Sequence, residues 1–236
     1  NYLEPKFQFN KILICGMGGS AIGGDFIKSL ILNNINNVTP PIYINRDYNI
    51  PNWVDSNTFV ILSSYSGNTE EVLSCHSKCK ALDSFCFVMT SGGTLLDIAI
   101  NENLPYSLIP KGYMPRQALG YSVSILSKIL YKYHMIDSSI IKNLGDSIEP
   151  IKKQSEQYSV IDIENNDSIN LAYNIFNKFN IIYTSQGMEV IGLRFRAQLA
   201  ENAKILSSHF IFPEQNHNEI EGFQNLYLEN INIIWI

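Results

Sequence analysis

"FVILSSYSGNTEEVL", residues 59–73, passes from an apolar, β-branched run into hydroxyls and a glycine, and then into acidic helix formers. A buried strand, a short loop and a helix with an acidic first turn have that order. The same transition recurs along the chain. "KILIC" leads into "GMGGSAIGGDFIKSL", "SFCFVM" into "TSGGTLLDIAI", and "PYSLIP" into "KGYMPRQALGYSVSILSKILYKYH", while "PIYINRDY" adds a further strand. Short strands that feed helices through Gly/Ser loops predict an α/β fold with a parallel sheet flanked by helices.

Beyond residue 136 a polar, helix-compatible connector follows, and then the pattern restarts. "NIIYTSQG" leads into "MEVIGLRFRAQLAENAKIL", "HFIF" into "PEQNHNEIEGF", and "INIIWI" reads as a last strand. The expected organisation is a first subdomain over 1–136, a helical connector over 137–168 and a second subdomain over 169–236. A sheet that stops at its third strand leaves an uncovered edge, so the second subdomain reads as incomplete, with more chain expected after Ile236.

The 236 residues, 45% hydrophobic and 17% charged, suffice for a substantial core. A net charge of -5 gives no general attraction to nucleic acid or an anionic membrane, so the expected partner is small and any anion is held by local geometry. No apolar run approaches the roughly 20 residues of a membrane span. Cys15, Cys75, Cys79 and Cys86 form no C-x-x-C pair, so neither a metal site nor a disulfide framework is expected, and a cytoplasmic setting fits.

Ligands of open parallel sheets collect where strands end and helices begin, because helix N-termini present unsatisfied N–H groups there. Ser64, Ser66 and Thr69 offer hydroxyls at such a point and Gly67 permits close approach, which suits a phosphate. The competing reading is a plain capping box of Asn68 with Glu71, and Glu70 and Glu71 would repel an anion unless they point outward. Gly16, Gly18 and Ala21 also satisfy the G-x-G-x-x-A dinucleotide pattern, although Asp47 comes late for a ribose-binding acid expected about 20 residues on. The alternative is that Gly18, Gly19 and Ser20 bring backbone close to a sugar phosphate, with Gly23 and Gly24 there for helix packing.

In order, "GMGGSAIGGD", "SYSGNTEE", "TSGG", "PRQALGY", "QLAENAK" and "PEQNHNEIEGF" resemble the bifunctional phosphoglucose/phosphomannose isomerases of the sugar isomerase (SIS) superfamily, from Lys11 to about Phe223. "SYSGNTEE" alone marks only a SIS domain; "PRQALGY" and "ENAK" followed by "NHNEI" are more specific to the isomerase. The resemblance implies two tandem SIS subdomains and interconversion of glucose 6-phosphate or mannose 6-phosphate with fructose 6-phosphate through an enediolate, without metal or cofactor, in glycolysis and gluconeogenesis. It assigns proton transfer to Glu201, ring opening to His217 and polarisation of the intermediate to Arg116, with Gly18, Gly19, Ser20, Ser64, Ser66 and Thr69 binding the sugar phosphate. It further implies a homodimer in which the neighbouring subunit supplies His217, and a C-terminal helix carrying a site lysine and threonine for which this sequence has no counterpart. Two other readings stand beside it, a non-catalytic SIS module that binds a sugar phosphate and a nicotinamide-dependent dehydrogenase.

The bland readings of these residues are specific too. A core stripe of Ile191, Phe195, Leu199 and Leu206 would leave Glu201 in solvent beside Lys204. His217 sits in a polar loop, and Arg116 starts a helix directly after Pro115, where a cation opposes the helix dipole unless an anion offsets it. His76 and His134 lie on amphipathic helices as partly buried structural groups, and His209 opens a strand.

Overall fold

The computed structural model describes residues 9–32, 39–162, 165–225 and 230–236. The chain divides into two units, Asn1–Ile141 and Lys142–Ile236. In the first, β1 (Lys11–Cys15), β2 (Ile42–Asn45), β3 (Thr58–Ser64), β4 (Phe85–Thr90) and β5 (Tyr106–Leu108) form one parallel sheet in the order β2-β1-β3-β4-β5. The helices of this unit are α1 (Gly18–Leu32), α2 (Glu70–Ala81), α3 (Gly93–Asn101) and α4 (Leu119–Lys132), and α5 (Ser138–Asp146) spans the division.

The continuous apolar strands follow from helices covering both faces of the sheet, which leaves no side of a central strand wet. All seven residues of β3 are buried, and Ile61 pairs with Ile14 on one side and Phe87 on the other. Because successive side chains point to opposite faces, Leu13, Cys15, Val60, Leu62 and Val88 pack with Val72, Cys75 and Cys79 of α2 and Leu95 and Ala99 of α3. On the other face Phe59 and Phe87 set their rings 4.9 and 6.1 Å from Tyr133, just after α4. Each fully buried side chain of this size contributes about 1.5–3 kcal/mol. Gly23 lies against Ser122 and Leu126 of α4, and Gly24 against Ile14 and Ile44 of the sheet, so these two glycines serve packing.

The second unit contains α6 (Ile148–Ser159), α7 (Asp167–Ile175), α8 (Glu189–Gln198) and α9 (Gln215–Gly222), with β6 (Phe179–Thr184), β7 (Ser207–Ile211) and β8 (Ile231–Trp235) in a parallel sheet of order β7-β6-β8. Its core is Ile175, Ile182 and Leu199, with Phe195, Ile205 and Ile234 against them. Asn166 caps α7 by accepting from the N–H groups of Ser168 and Ile169. Residues 163–164 of the connector lie outside the described residues.

Several local expectations change. Leu206 is 78% exposed rather than part of a core stripe. The α8 helix runs into a π turn, Leu199–Ala203, and stops at Lys204 in the left-handed conformation, so Ile205 takes the core position instead. Lys204 Nζ donates 2.7 Å to the main-chain oxygen of Glu201. The segment read as a polar loop around His217 is helix α9. Arg116 belongs to a short 3-10 turn, Pro115–Gln117, ahead of α4. His134 stands exposed in the turn after α4 with φ 57°, and His209 lies inside β7 rather than at its start.

Candidate functional site

The strand order β2-β1-β3-β4-β5 reverses direction at β1, and in such sheets the crevice beyond the carboxyl ends of β1 and β3 is where ligands bind. Tyr65 knots the loops around that crevice. Its N–H donates to Ser20 Oγ at 3.1 Å, while Ser63 Oγ donates to the Ser20 carbonyl at 3.0 Å, joining the loops after β3 and β1. The carbonyl of Tyr65 accepts from Ser91 N at 3.1 Å and Ser91 Oγ at 2.7 Å, which adds the loop after β4. Its phenol donates to the Pro110 carbonyl and accepts from Tyr113 N–H, both at 2.9 Å, which adds the segment after β5.

The hydroxyls of the β3–α2 loop are not equivalent. Ser64 is buried; its Oγ accepts from Gly67 N–H at 3.0 Å and lies 2.7 Å from Thr69 Oγ1. If Ser64 donates to Thr69, the Thr69 hydroxyl proton is left to donate outward. Ser66 is exposed, and its Oγ accepts from Asn68 N–H at 3.2 Å, so its own proton also remains available. Thr69 is the N-cap of α2 and makes no side-chain cap bond, so no side chain covers the N–H groups of the first turn at that position. The capping box of Asn68 with Glu71 does not form. Asn68 Oδ1 instead accepts from the N–H and hydroxyl of Thr94, both at 3.0 Å, and so caps α3. The two acids turn toward the loop after β2: Tyr48 donates to Glu70 Oε2 at 3.3 Å, and the Glu71 carboxylate beside that phenol raises its pKa.

Gly18 and Gly19 open α1, and a Cβ on Gly19 would lie 2.9 Å from the Pro115 carbonyl and 3.3 Å from Arg116 N. The absent side chain therefore lets the turn bearing the half-buried Arg116 pack onto the start of α1, beside Ser20. The structure thus gathers Gly18, Gly19, Ser20, Ser64, Ser66, Thr69 and Arg116 at one end of the first sheet. Tyr65 escaped the sequence reading: it was inside the decisive loop, yet its role is visible only through partners far along the chain.

In the second unit, Glu201 is exposed on the π turn that follows α8; such turns insert one residue into a helix and often mark functional positions. Arg194, earlier on α8, has its pKa lowered by burial, with the charge of Glu201 opposing that shift. His217 is exposed on α9. His209 Nε2 lies 2.9 Å from Thr184 Oγ1, and burial, then the charge of Arg196, lowers the pKa of this imidazole. Among the described residues no cluster of three or more His, Cys, Asp or Glu could hold a metal, and no helix is long and apolar enough to cross a membrane.

The α9 helix is fixed by Tyr183, which is 1% exposed at the end of β6 and stacks on Trp235 with ring centres 5.0 Å apart. Its hydroxyl donates 2.8 Å to Glu219 Oε2. Burial first, and Glu219 second, push this phenol from 10 to about 12. The folded state thus keeps a proton that the unfolded chain releases near pH 10, and stability conferred in full below pH 10 is lost as pH rises toward about 12. The stability advantage of wild type over Tyr183→Phe should therefore shrink across that window. Denaturant midpoints of both proteins at a series of alkaline pH values check it; a constant gap would contradict the buried, proton-donating phenol.

Residues 164–236 match the family described as the bacterial phospho-glucose isomerase C-terminal SIS domain. A bifunctional phosphoglucose/phosphomannose isomerase of Caldicellulosiruptor bescii is 37% identical over 220 residues, covering 92% of this chain and 64% of the relative. A D-glucosamine-6-phosphate 4-epimerase of Sulfolobus acidocaldarius is 33% identical, covering 91% of this chain and 64% of the relative. The chain thus spans just under two thirds of these relatives. In fold it is similar to the crystal structure of a hypothetical protein from Thermus thermophilus, with TM-score 0.72 at 17% identity, over 96% of this chain and 59% of that one. Over most of its length the chain is similar to the bifunctional phosphoglucose/phosphomannose isomerases, and its residues 164–236 match the bacterial phospho-glucose isomerase C-terminal SIS domain.

Proposed function

We propose that the chain belongs to an aldose–ketose isomerase that interconverts glucose 6-phosphate, mannose 6-phosphate or both with fructose 6-phosphate. The observation that carries this reading is the crevice at the β1/β3 switch point, where the Ser66 hydroxyl accepts from Asn68 N–H and keeps its proton, Thr69 keeps its own when Ser64 is the donor between them, and the N-cap of α2 makes no side-chain cap bond. A phosphate accepts both kinds of donor, and the positive end of a helix favours it. Ser64 shares a hydrogen bond with the Thr69 hydroxyl, and Ser20, tied to Tyr65, borders the sugar side.

The chemistry follows in balanced steps. His217 moves the proton that opens the ring, and Glu201 takes the C2 proton of the open-chain aldose. The pair of electrons left behind forms the enediolate, whose oxygens Arg116 polarises; the hydroxyl proton on O2 passes to O1, C2 becomes the carbonyl carbon, and Glu201 returns its proton to C1 to give the ketose. No cofactor takes part. The acting form is a homodimer in the cytoplasm in which His217 reaches the substrate of the neighbouring subunit; its exposure on α9 accords with that delivery. A reducing compartment suits four buried cysteines that are all free thiols.

The relative named as a 4-epimerase supports a second reading, in which similar loops hold an amino-sugar phosphate and the chemistry falls at C4. Incubation with fructose 6-phosphate in deuterated water separates the possibilities. The isomerase forms an aldose 6-phosphate carrying deuterium at C2. Binding without turnover would instead identify a sugar-phosphate-binding module, and conversion of glucosamine 6-phosphate at C4 alone would identify an epimerase.

A further inference from the structure

We propose that Lys111 is a substrate-binding residue that supplies the full positive charge for the phosphate held by the β3–α2 loop; the inference rests on the phosphate reading given above. Lys111 is exposed in the short segment between β5 and the Pro115–Gln117 turn. That segment is not loosely placed. Ile109 N–H donates 2.8 Å to the Thr90 carbonyl, and the Tyr65 phenol clasps it on both sides of Lys111, at Pro110 and Tyr113. So anchored, the lysine extends over the start of α3. A Cβ on Gly92 would lie 3.5 Å from both Cε and Nζ of Lys111, and Gly92 in turn packs its carbonyl against Gly67 of the β3–α2 loop.

The charge balance at this end of the sheet bears on the position. Just after β2, Arg46 is paired with Asp25, whereas Lys111 has no ion pair among the described residues. A sugar phosphate brings a charge of about -1.5 to -2 at neutral pH. Against it the β3–α2 loop itself offers hydroxyls and the partial charge of a helix end, in a chain of net charge -5, while Arg116 stands on the other side of the crevice, against Gly19, where the proposed mechanism uses it on the sugar oxygens. An ammonium is a compact point charge suited to a phosphate, and Lys111 is held beside the backbone that lines the loop.

Calorimetric titration of the chain with fructose 6-phosphate, and with unphosphorylated fructose as the comparison, tests the assignment. Lys111→Gln should weaken fructose 6-phosphate binding about tenfold, the scale of losing one bond to a charged group. Lys111→Arg, which keeps the charge, should recover most of that loss, and added salt should narrow the gap between wild type and Lys111→Gln. A merely structural role would give neither the rescue by arginine nor the salt dependence. If wild type prefers the phosphorylated sugar and Lys111→Gln binds it equally well, the proposal fails while the phosphate reading stands. If wild type itself binds fructose 6-phosphate no better than fructose, the phosphate reading fails and takes this proposal with it.

Discussion

Glu201→Gln is expected to lower kcat by about 10²-fold or more, the usual scale for losing a positioned general base, while affinity for fructose 6-phosphate stays nearly unchanged. The substitution keeps the side chain's length and planar shape and removes only its capacity to take a proton. Interactions made equally in the ground and transition states set affinity, whereas proton removal from carbon occurs only in the transition state, so the loss should fall on kcat. The competing role for Glu201 is a solvated surface acid; an exposed ion pair is worth at most about 1 kcal/mol of stability, and its loss would leave turnover intact. Calorimetry and a coupled assay on the same preparation separate the two. Wild-type turnover and wild-type deuterium exchange at C2 in the glutamine variant would end the proposed mechanism.

Gly67→Ala is expected to cost the first unit about 3 kcal/mol or more, at the severe end for a single substitution. Gly67 has φ 73°, and an added Cβ would sit 1.8 Å from the Gly92 carbonyl oxygen and 2.9 Å from Thr90 Oγ1. The left-handed backbone alone costs an alanine roughly 1–2 kcal/mol. The rest arises because the Gly92 carbonyl cannot withdraw without giving up the bond at 2.7 Å that it accepts from the Thr90 hydroxyl. Gly67 also donates to Ser64 and accepts from Leu95 N–H, so the clash falls where the loops after β3 and β4 are joined. Chemical denaturation followed through the first unit measures the effect, and a loss below about 1 kcal/mol, no more than the dihedral cost, would show that this turn tolerates a side chain.

The strands of both sheets were legible in the sequence because each is a short run with β-branched or aromatic residues that ends in a loop, and in the central strands β1, β3 and β4 burial on both faces leaves little polar interruption to confuse the pattern. Their order was not legible. The sequence offers nothing to place β1 between β2 and β3, and that placement locates the crevice. The hydroxyl loop was readable as a cluster, but the division of labour within it depends on which hydroxyl is already engaged, as Ser64 is with Gly67 and Thr69. Misreadings gathered where geometry departs from a regular period. A π turn shifts Leu206 out of the stripe that a uniform helix would give it. The α9 helix has almost no apolar period, and it is held by a tyrosine hydroxyl 36 positions upstream of Glu219. Charged residues such as Lys111 carry no local signal, since one exposed lysine resembles another until its neighbours are known.

The capping of α3 by Asn68 bears on the order in which the chain acquires structure. A helix capped by its own preceding residue can begin forming as an isolated segment, with its nucleation cost met locally. The α3 helix cannot complete its first turn that way, because its cap lies 26 positions earlier, across β4. The bond exists only after β3 and β4 have come into register, from Phe59 opposite Phe85 to Ser64 opposite Thr90. In kinetic terms α3 is a follower whose N-terminus matures with the strand pair, so slowing the β3–β4 pairing delays this helix while α7, capped by the Asn166 that directly precedes it, is free to start without waiting.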